Sequence, residues 1–123
     1  MNQFISAISL VVPDYDQALD FYVGKLGFDK VEDTILSPTK RWVRVVPPGG
    51  QTCLLLAKTD GEVQAHFVGN QTGGRVFLFL NTDDFERDYN KFKKIVFGFL
   101  KSHDTKPMAA LWCLKIRSAI NGI

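Results

Sequence analysis

The sequence predicts an α+β domain built from two βαβββ modules, the second incomplete or atypical. Two observations predict this class. A strand–helix unit near the N-terminus is followed by three more extended segments, and a second strand–helix unit restarts after a polar linker, as in a repeated supersecondary module. A third observation limits it: the pattern breaks after Lys93–Lys94. Module one spans about residues 4–58, the linker 59–74 and module two about 75–123. At 123 residues the chain is read as a single domain with enough length to bury one core.

Phe4–Val12 alternates, with Ile8, Leu10 and Val12 on one side and Ala7, Ser9 and Val11 on the other, which predicts a two-faced strand. Pro13 stops it, because proline donates nothing to a ladder. Asp14 is a candidate N-cap, with Gln17 placed to close a capping box. Tyr15, Ala18, Leu19, Tyr22 and Leu26 recur at helical spacing, so a helix is expected over Tyr15–Lys25, ended by Gly27. Three strands follow at Lys30–Ile35, Arg41–Val46 and Thr52–Lys58. Pro47–Pro48–Gly49–Gly50 forms the turn between the last two.

Residues 60–74 are polar and glycine-containing. Arg75–Leu80 then reads as a strand, Thr82 or Asp83 as the cap of a second helix, and Phe85, Tyr89 and Phe92 as its apolar stripe. Beyond the seam, Ile95–Leu100 suits a sixth strand, being apolar, β-branched and aromatic. Met108–Ile116 is apolar without clean alternation. Ala109, Ala110 and Leu111 are good helix formers, so irregular or helical structure is expected after Pro107.

Composition excludes several function classes. A net charge of +2 with scattered Lys and Arg gives no nucleic-acid footprint. No apolar stretch reaches membrane-spanning length. Met1–Asn2–Gln3 opens without a charged leader or cleavable apolar segment, so no signal peptide and a cytoplasmic location are expected. Cys53 and Cys113 make neither a disulfide framework nor a metal motif, and reduced thiols are expected.

Three groups of residues carry a family resemblance. The first runs Ile8-Ser9-Leu10-Val11-Val12-Pro13-Asp14-Tyr15-Asp16, then Ala18–Tyr22 and Leu26-Gly27-Phe28. The second is Arg41-Trp42-Val43 with Pro47–Gly50. The third is Gly73–Phe77 with Asp83–Tyr89. In this order and spacing they resemble the vicinal oxygen chelate superfamily, which includes glyoxalase I, extradiol dioxygenases and the bleomycin-resistance proteins. The likeness is to its glyoxalase-related branch and covers roughly Phe4–Lys94. It implies paired modules whose sheets curl around a shared cavity. It also implies a divalent metal held by side chains of the first, fourth, fifth and eighth strands, on imidazole and carboxylate donors.

The implied ligands are missing position by position. The first-strand slot holds Ala7, with no lone pair. The fourth-strand slot falls near Leu54 or Leu55. The fifth strand opens with Arg75, a permanent cation. The two histidines, His66 and His103, fall in the linker and a loop. The expectation is therefore no metal site and no metal cofactor, although relatives usually bind one.

The tail admits an account from the genetic code. Reading each codon's third base with the first two of the next, from Lys94 onward, His103–Asp104 gives Arg or a stop. Met108–Ala109 gives Gly, and Trp112–Cys113 gives Val. With permitted codons elsewhere, Leu100–Ile123 and the stop can encode EEPRYEAYGSVVVFEDPFGNQWDL, which resembles the family's usual ending. A Lys-Lys pair can be a run of adenines, where a base is easily lost. A frameshifted tail is expected, against the alternative of a naturally divergent one.

Alternation places Ala7 and Ser9 on one face of the first strand, Trp42 and Arg44 on one face of the third, and Arg75 and Phe77 on one face of the fifth. Gathered in one concavity, they would suit a planar or anionic small molecule through bidentate hydrogen bonds and stacking. The alternative puts both arginines on the outer face, paired with Asp or Glu. Two functions compete. One is a metal-free small-molecule-binding or inactive domain. The other is a metal-dependent glyoxalase-related lyase, isomerase or dioxygenase, with a polarised substrate oxygen and a carboxylate moving a proton. No catalytic residue is assigned. A small-molecule ligand is the expected partner, with a homodimer as a further candidate.

Overall fold

The computed structural model describes residues 2–102 and 114–118. The chain divides into two compact units, Met1–His66 and Phe67–Ile123. The first unit runs β1 (Ala7–Val12), α1 (Tyr15–Leu19) with a π-helical continuation (Asp20–Lys25), β2 (Asp29–Ile35), β3 (Arg41–Val46), β4 (Cys53–Lys58) and the short α2 (Gly61–Ala65). This is the expected strand–helix–three-strand order, with β1 three residues shorter at its start and a helical turn inside the expected linker.

Asp14 caps α1, its carboxylate accepting the Gln17 N–H at 2.9 Å. The π turn carries the consecutive rings of Phe21 and Tyr22 into the core together, edge to face at 5.1 Å. Gly27 ends the helix at φ 81°, which lets the Phe28 N–H turn back to the Tyr22 carbonyl at 2.9 Å. Gly49, at φ 79°, occupies the position of the Pro47–Gly50 turn that favours glycine, and the Gly50 N–H closes the turn on the Pro47 carbonyl.

The four strands form one curled sheet in the order β1-β4-β3-β2. β1 pairs parallel with β4, matching Leu10 with Leu56, and β4 pairs antiparallel with β3, matching Leu56 with Val43 and Leu54 with Val45. Cross-strand partners share a face, so these residues form one apolar layer. Leu10, Leu54, Leu56, Val43 and Val45 are buried with Tyr15, Ala18, Phe21, Tyr22, Leu26 and Phe28 in the core.

The second unit contains β5 (Leu78–Thr82), α3 (Phe85–Ser102) and β6 (Leu114–Ser118), with β5 and β6 parallel and in register from Leu78–Leu114 to Thr82–Ser118. Among the described residues this unit is a strand–helix–strand crossover, an atypical second module. β5 starts three residues later than expected. The cap of α3 is Asp84, whose carboxylate accepts the Arg87 N–H at 3.0 Å, rather than Thr82 or Asp83. Thr82 instead accepts the Asp84 N–H and donates to the Asp88 carboxylate.

Two expectations for the tail are corrected. Ile95–Leu100 is helical, not a sixth strand, because a helix already nucleated at Phe85 extends at one hydrogen bond per added residue and overrides local β preference. Leu114–Ser118 is a strand where irregular or helical structure was expected, since Leu114 and Ile116 alternate with Lys115 and Arg117. The expected helix formers Ala109–Leu111, and His103 and Cys113, lie outside the described residues.

Candidate functional site

The sheet face opposite the core carries the candidate site. Ser9 pairs with Leu55, Leu55 with Arg44 and Arg44 with Glu32, so one row crosses all four strands. Ala7 and Val11 flank Ser9 on β1, Cys53 and Ala57 flank Leu55 on β4, and Trp42 precedes Arg44 on the same side of β3. The register resolves the fourth-strand slot: Leu55 shares the face of Ala7 and Ser9, while Leu54 faces the core. Ala7, Val11, Leu55 and Ala57 are half-buried, Ser9 is exposed and Trp42 is 41% exposed. A face lined by small and apolar side chains next to an open indole can take a flat hydrophobic surface.

Arg44 lies on this face and is also paired. Its Nε and Nη2 reach the Glu32 carboxylate at 3.0 and 2.9 Å, and its Nη1 lies 4.0 Å from the Cys53 sulfur. Arg44 thus has a carboxylate partner, as one of the two sequence readings gave it, on the sheet face opposite the core. Glu32 was not singled out in the sequence, although its place on the edge strand opposite β3 was readable.

Arg41, three residues earlier on β3, belongs to a different cluster. Its guanidinium forks onto the Asp33 carboxylate and reaches Asp16 at 2.8 Å, while its backbone N–H donates to the Tyr15 hydroxyl at 3.2 Å. Arg41 hydrogen bonds foremost hold the Asp33 carboxyl below the ordinary carboxylate range. This cluster pins the start of α1 to the sheet.

Arg75 and Phe77 were expected on one face of the fifth strand. Both precede β5, which begins at Leu78. Arg75 instead closes a turn, its N–H donating to the Thr72 hydroxyl at 3.0 Å and its carbonyl accepting from the same hydroxyl. Gly73 and Gly74, at φ 73° and 117°, turn the chain there, so strand geometry starts only after them. The structure therefore brings together Ala7, Ser9, Trp42 and Arg44, while Arg75 and Phe77 belong to the second unit. His66 is the exposed residue after α2.

The model of the Glyoxalase/Bleomycin resistance protein/Dioxygenase superfamily matches residues 4–117. The chain belongs to this superfamily. An uncharacterized protein of Shewanella frigidimarina (strain NCIMB 400) is 59% identical over 95 residues, covering 76% of this chain and 70% of that protein. The structure of a superfamily member from Sphaerobacter thermophilus superimposes with a TM-score of 0.56 at 32% identity, covering 76% of this chain and 72% of its own. That of TnmS3, an antibiotic binding protein from Streptomyces sp. CB03234, superimposes with a TM-score of 0.56 at 26% identity, covering 76% and 71%.

The glyoxalase superfamily implies a divalent ion, and the donors present do not fit one. Ala7 and Leu55 put a methyl and an isobutyl group where lone pairs are needed. Arg75, on its turn, is a cation. Among the described residues no group of three or more His, Cys, Asp or Glu side chains could hold a metal. Nor, among them, is any helix long and apolar enough to cross a membrane.

Proposed function

We propose that this chain is a single glyoxalase-like domain that binds a planar small molecule without a metal, on the face formed by Ala7, Ser9, Leu55, Trp42 and Arg44. The observation that carries this reading is the replacement of ligand donors by hydrocarbon at Ala7 and Leu55 on a face that keeps an open indole. A sheet face of this kind gains affinity from apolar burial and stacking. The similarity to TnmS3, an antibiotic binding protein, supports a small-molecule ligand. The protein is proposed to work in the cytoplasm.

Titration with bleomycin, followed by intrinsic tryptophan fluorescence with and without a chelator, tests the reading. Saturable quenching that survives the chelator and disappears in Trp42→Leu is the expected result. Quenching that requires added divalent metal would instead support the metal-dependent lyase or dioxygenase reading.

We also propose that the tail after Lys94 is read from a shifted frame. The supporting observation is extent: the Shewanella relative aligns over 95 residues, about the length preceding the seam, and the two solved relatives cover 76% of the chain. The family model itself runs on to residue 117, which is the ground for the alternative of natural divergence.

A further inference from the structure

Asp60 is the one aspartate of the chain followed by glycine. It stands just beyond β4, where the Thr59 N–H still donates to the Val12 carbonyl at 2.9 Å. Both residues of the Asp60–Gly61 pair are exposed. Asp60 precedes α2 without capping it. Its side chain accepts no capping hydrogen bond, while its own N–H donates to Gln64 Oε1 at 2.8 Å. Asp14, Asp33 and Asp88 are, by contrast, tied down. They accept from Gln17, from Arg41, and from Thr82 and Arg87, and a bulkier residue follows each of them.

Gly61 offers as little resistance. It sits at φ 87°, and no atom lies within 4 Å of where a Cβ would stand. As the first residue of α2, it has an N–H with no intrahelical acceptor. A main-chain nitrogen that is unhindered and gives up no helix bond can approach the neighbouring carboxyl carbon. The five-residue α2 adds few hydrogen bonds after its nucleation, so the segment opens at little cost.

We infer that Asp60–Gly61 is a covalent modification site, at which the aspartate isomerises through a cyclic imide. The Gly61 nitrogen attacks Asp60 Cγ. The N–Cγ bond forms as the Cγ–O bond breaks, and the hydroxyl leaves with the amide proton as water. Water then reopens the ring. Attack at Cγ restores aspartate, whereas attack at the main-chain carbonyl gives isoaspartate, with the chain running through Cβ. No oxidant or cofactor is required, and the net change in mass is zero. The product carries one extra main-chain atom between β4 and the end of the first unit at His66. Neither the ligand face nor the tail takes part.

Ageing the full chain for several weeks at neutral pH and physiological temperature, followed by tryptic mapping, tests this site. The peptide Thr59–Arg75 holds Asp60 as its single aspartate, and Asn121–Gly122, a second pair open to the same chemistry, falls in a separate peptide after Arg117. Isoaspartate is read as methyl transfer from S-adenosylmethionine by an isoaspartyl methyltransferase, and as resistance to an endoproteinase that cuts before aspartate. It should accumulate in Thr59–Arg75 of the native chain at a rate within about tenfold of that in denaturant, because the segment opens readily. Asp60→Glu, which leaves Gly61 in place and would need a larger ring, should abolish the signal in this peptide. Asp60→Asn should lose ammonia at the same bond, read directly as a gain in mass. Native conversion slower than in denaturant by more than about tenfold, or none at all, would overturn the inference, as would an equal signal in Asp60→Glu.

Discussion

Arg44 on β3 and Glu32 on β2 meet across the sheet, the Arg44 Nε and Nη2 lying 3.0 and 2.9 Å from one carboxylate oxygen. The pair neutralises the Arg44 cation on the same row as Ser9 and Leu55. On the proposed ligand-binding reading, this pairing should disfavour an anion on that face. In Glu32→Gln the guanidinium is released from its counter-charge. The affinity for the anionic probe anilinonaphthalene sulfonate, read by its fluorescence, should rise roughly 1.5- to 5-fold, the span of a partly exposed ion pair. Arg44→Ala should lower it. An unchanged affinity in Glu32→Gln would remove Arg44 from the site.

Asp33 and Arg41 predict a pH dependence. The folded-state pKa of Asp33 lies below its unfolded value, through hydrogen bonds from Arg41 foremost. Its contribution is therefore fully present above the unfolded value, about 3.9, and is lost as pH falls through the folded value. Asp88, lowered chiefly by the Arg87 hydrogen bond, adds a contribution of the same sign. Thermal midpoints should fall on acidification below about pH 4. Asp33→Asn should cost about 1 kcal/mol at neutral pH, roughly 3–6 °C, and flatten the acid limb.

Leu56 is 1% exposed at the centre of the sheet, between Leu10 and Val43. Leu56→Ala should destabilise the domain by about 2–5 kcal/mol, read as a lower denaturant midpoint at unchanged slope.

Ala7→His alone should not create a metal site, because Leu55 and Arg75 still supply no donor. Calorimetric titration with zinc or nickel should show no stoichiometric binding to that variant. Tight one-to-one binding would mean that donors outside this set complete a site.

Adding one base within the codons for Lys93 and Lys94 should give a chain with higher melting temperature and higher soluble yield than this one. On the shifted-frame proposal, three selected strands would then replace an unselected tail whose apolar Ile95–Leu100 run is an aggregation hazard. Equal or lower stability, together with a gene sequence lacking a repeat at that point, would favour natural divergence.

Much of the first unit was legible because each element there is set by local chemistry. Asp14 and Gly27 bound the helix, and Pro47–Gly50 forces the turn. The Leu10 and Val12 alternation marks a two-faced strand. The second unit was less legible. Its glycine pair at Gly73–Gly74 delayed the start of β5, and the cap at Asp84 was one residue beyond the expected candidates. An apolar run such as Ile95–Leu100 satisfies strand and helix patterns alike, so periodicity alone cannot choose between them.

By itself the sequence determined the family, the order of elements through β4 and the absence of donors at Ala7 and Arg75, because residue identity and spacing along one chain are enough for each. Only the tertiary structure decided that Leu55 rather than Leu54 joins Ser9 on the open face, that Arg44 is held by Glu32, and that α3 runs through the seam. Those facts depend on strand register and helix propagation. A shift of one residue in register would turn every side chain of a strand to the other face, and no local stretch of sequence records which register the fold selects.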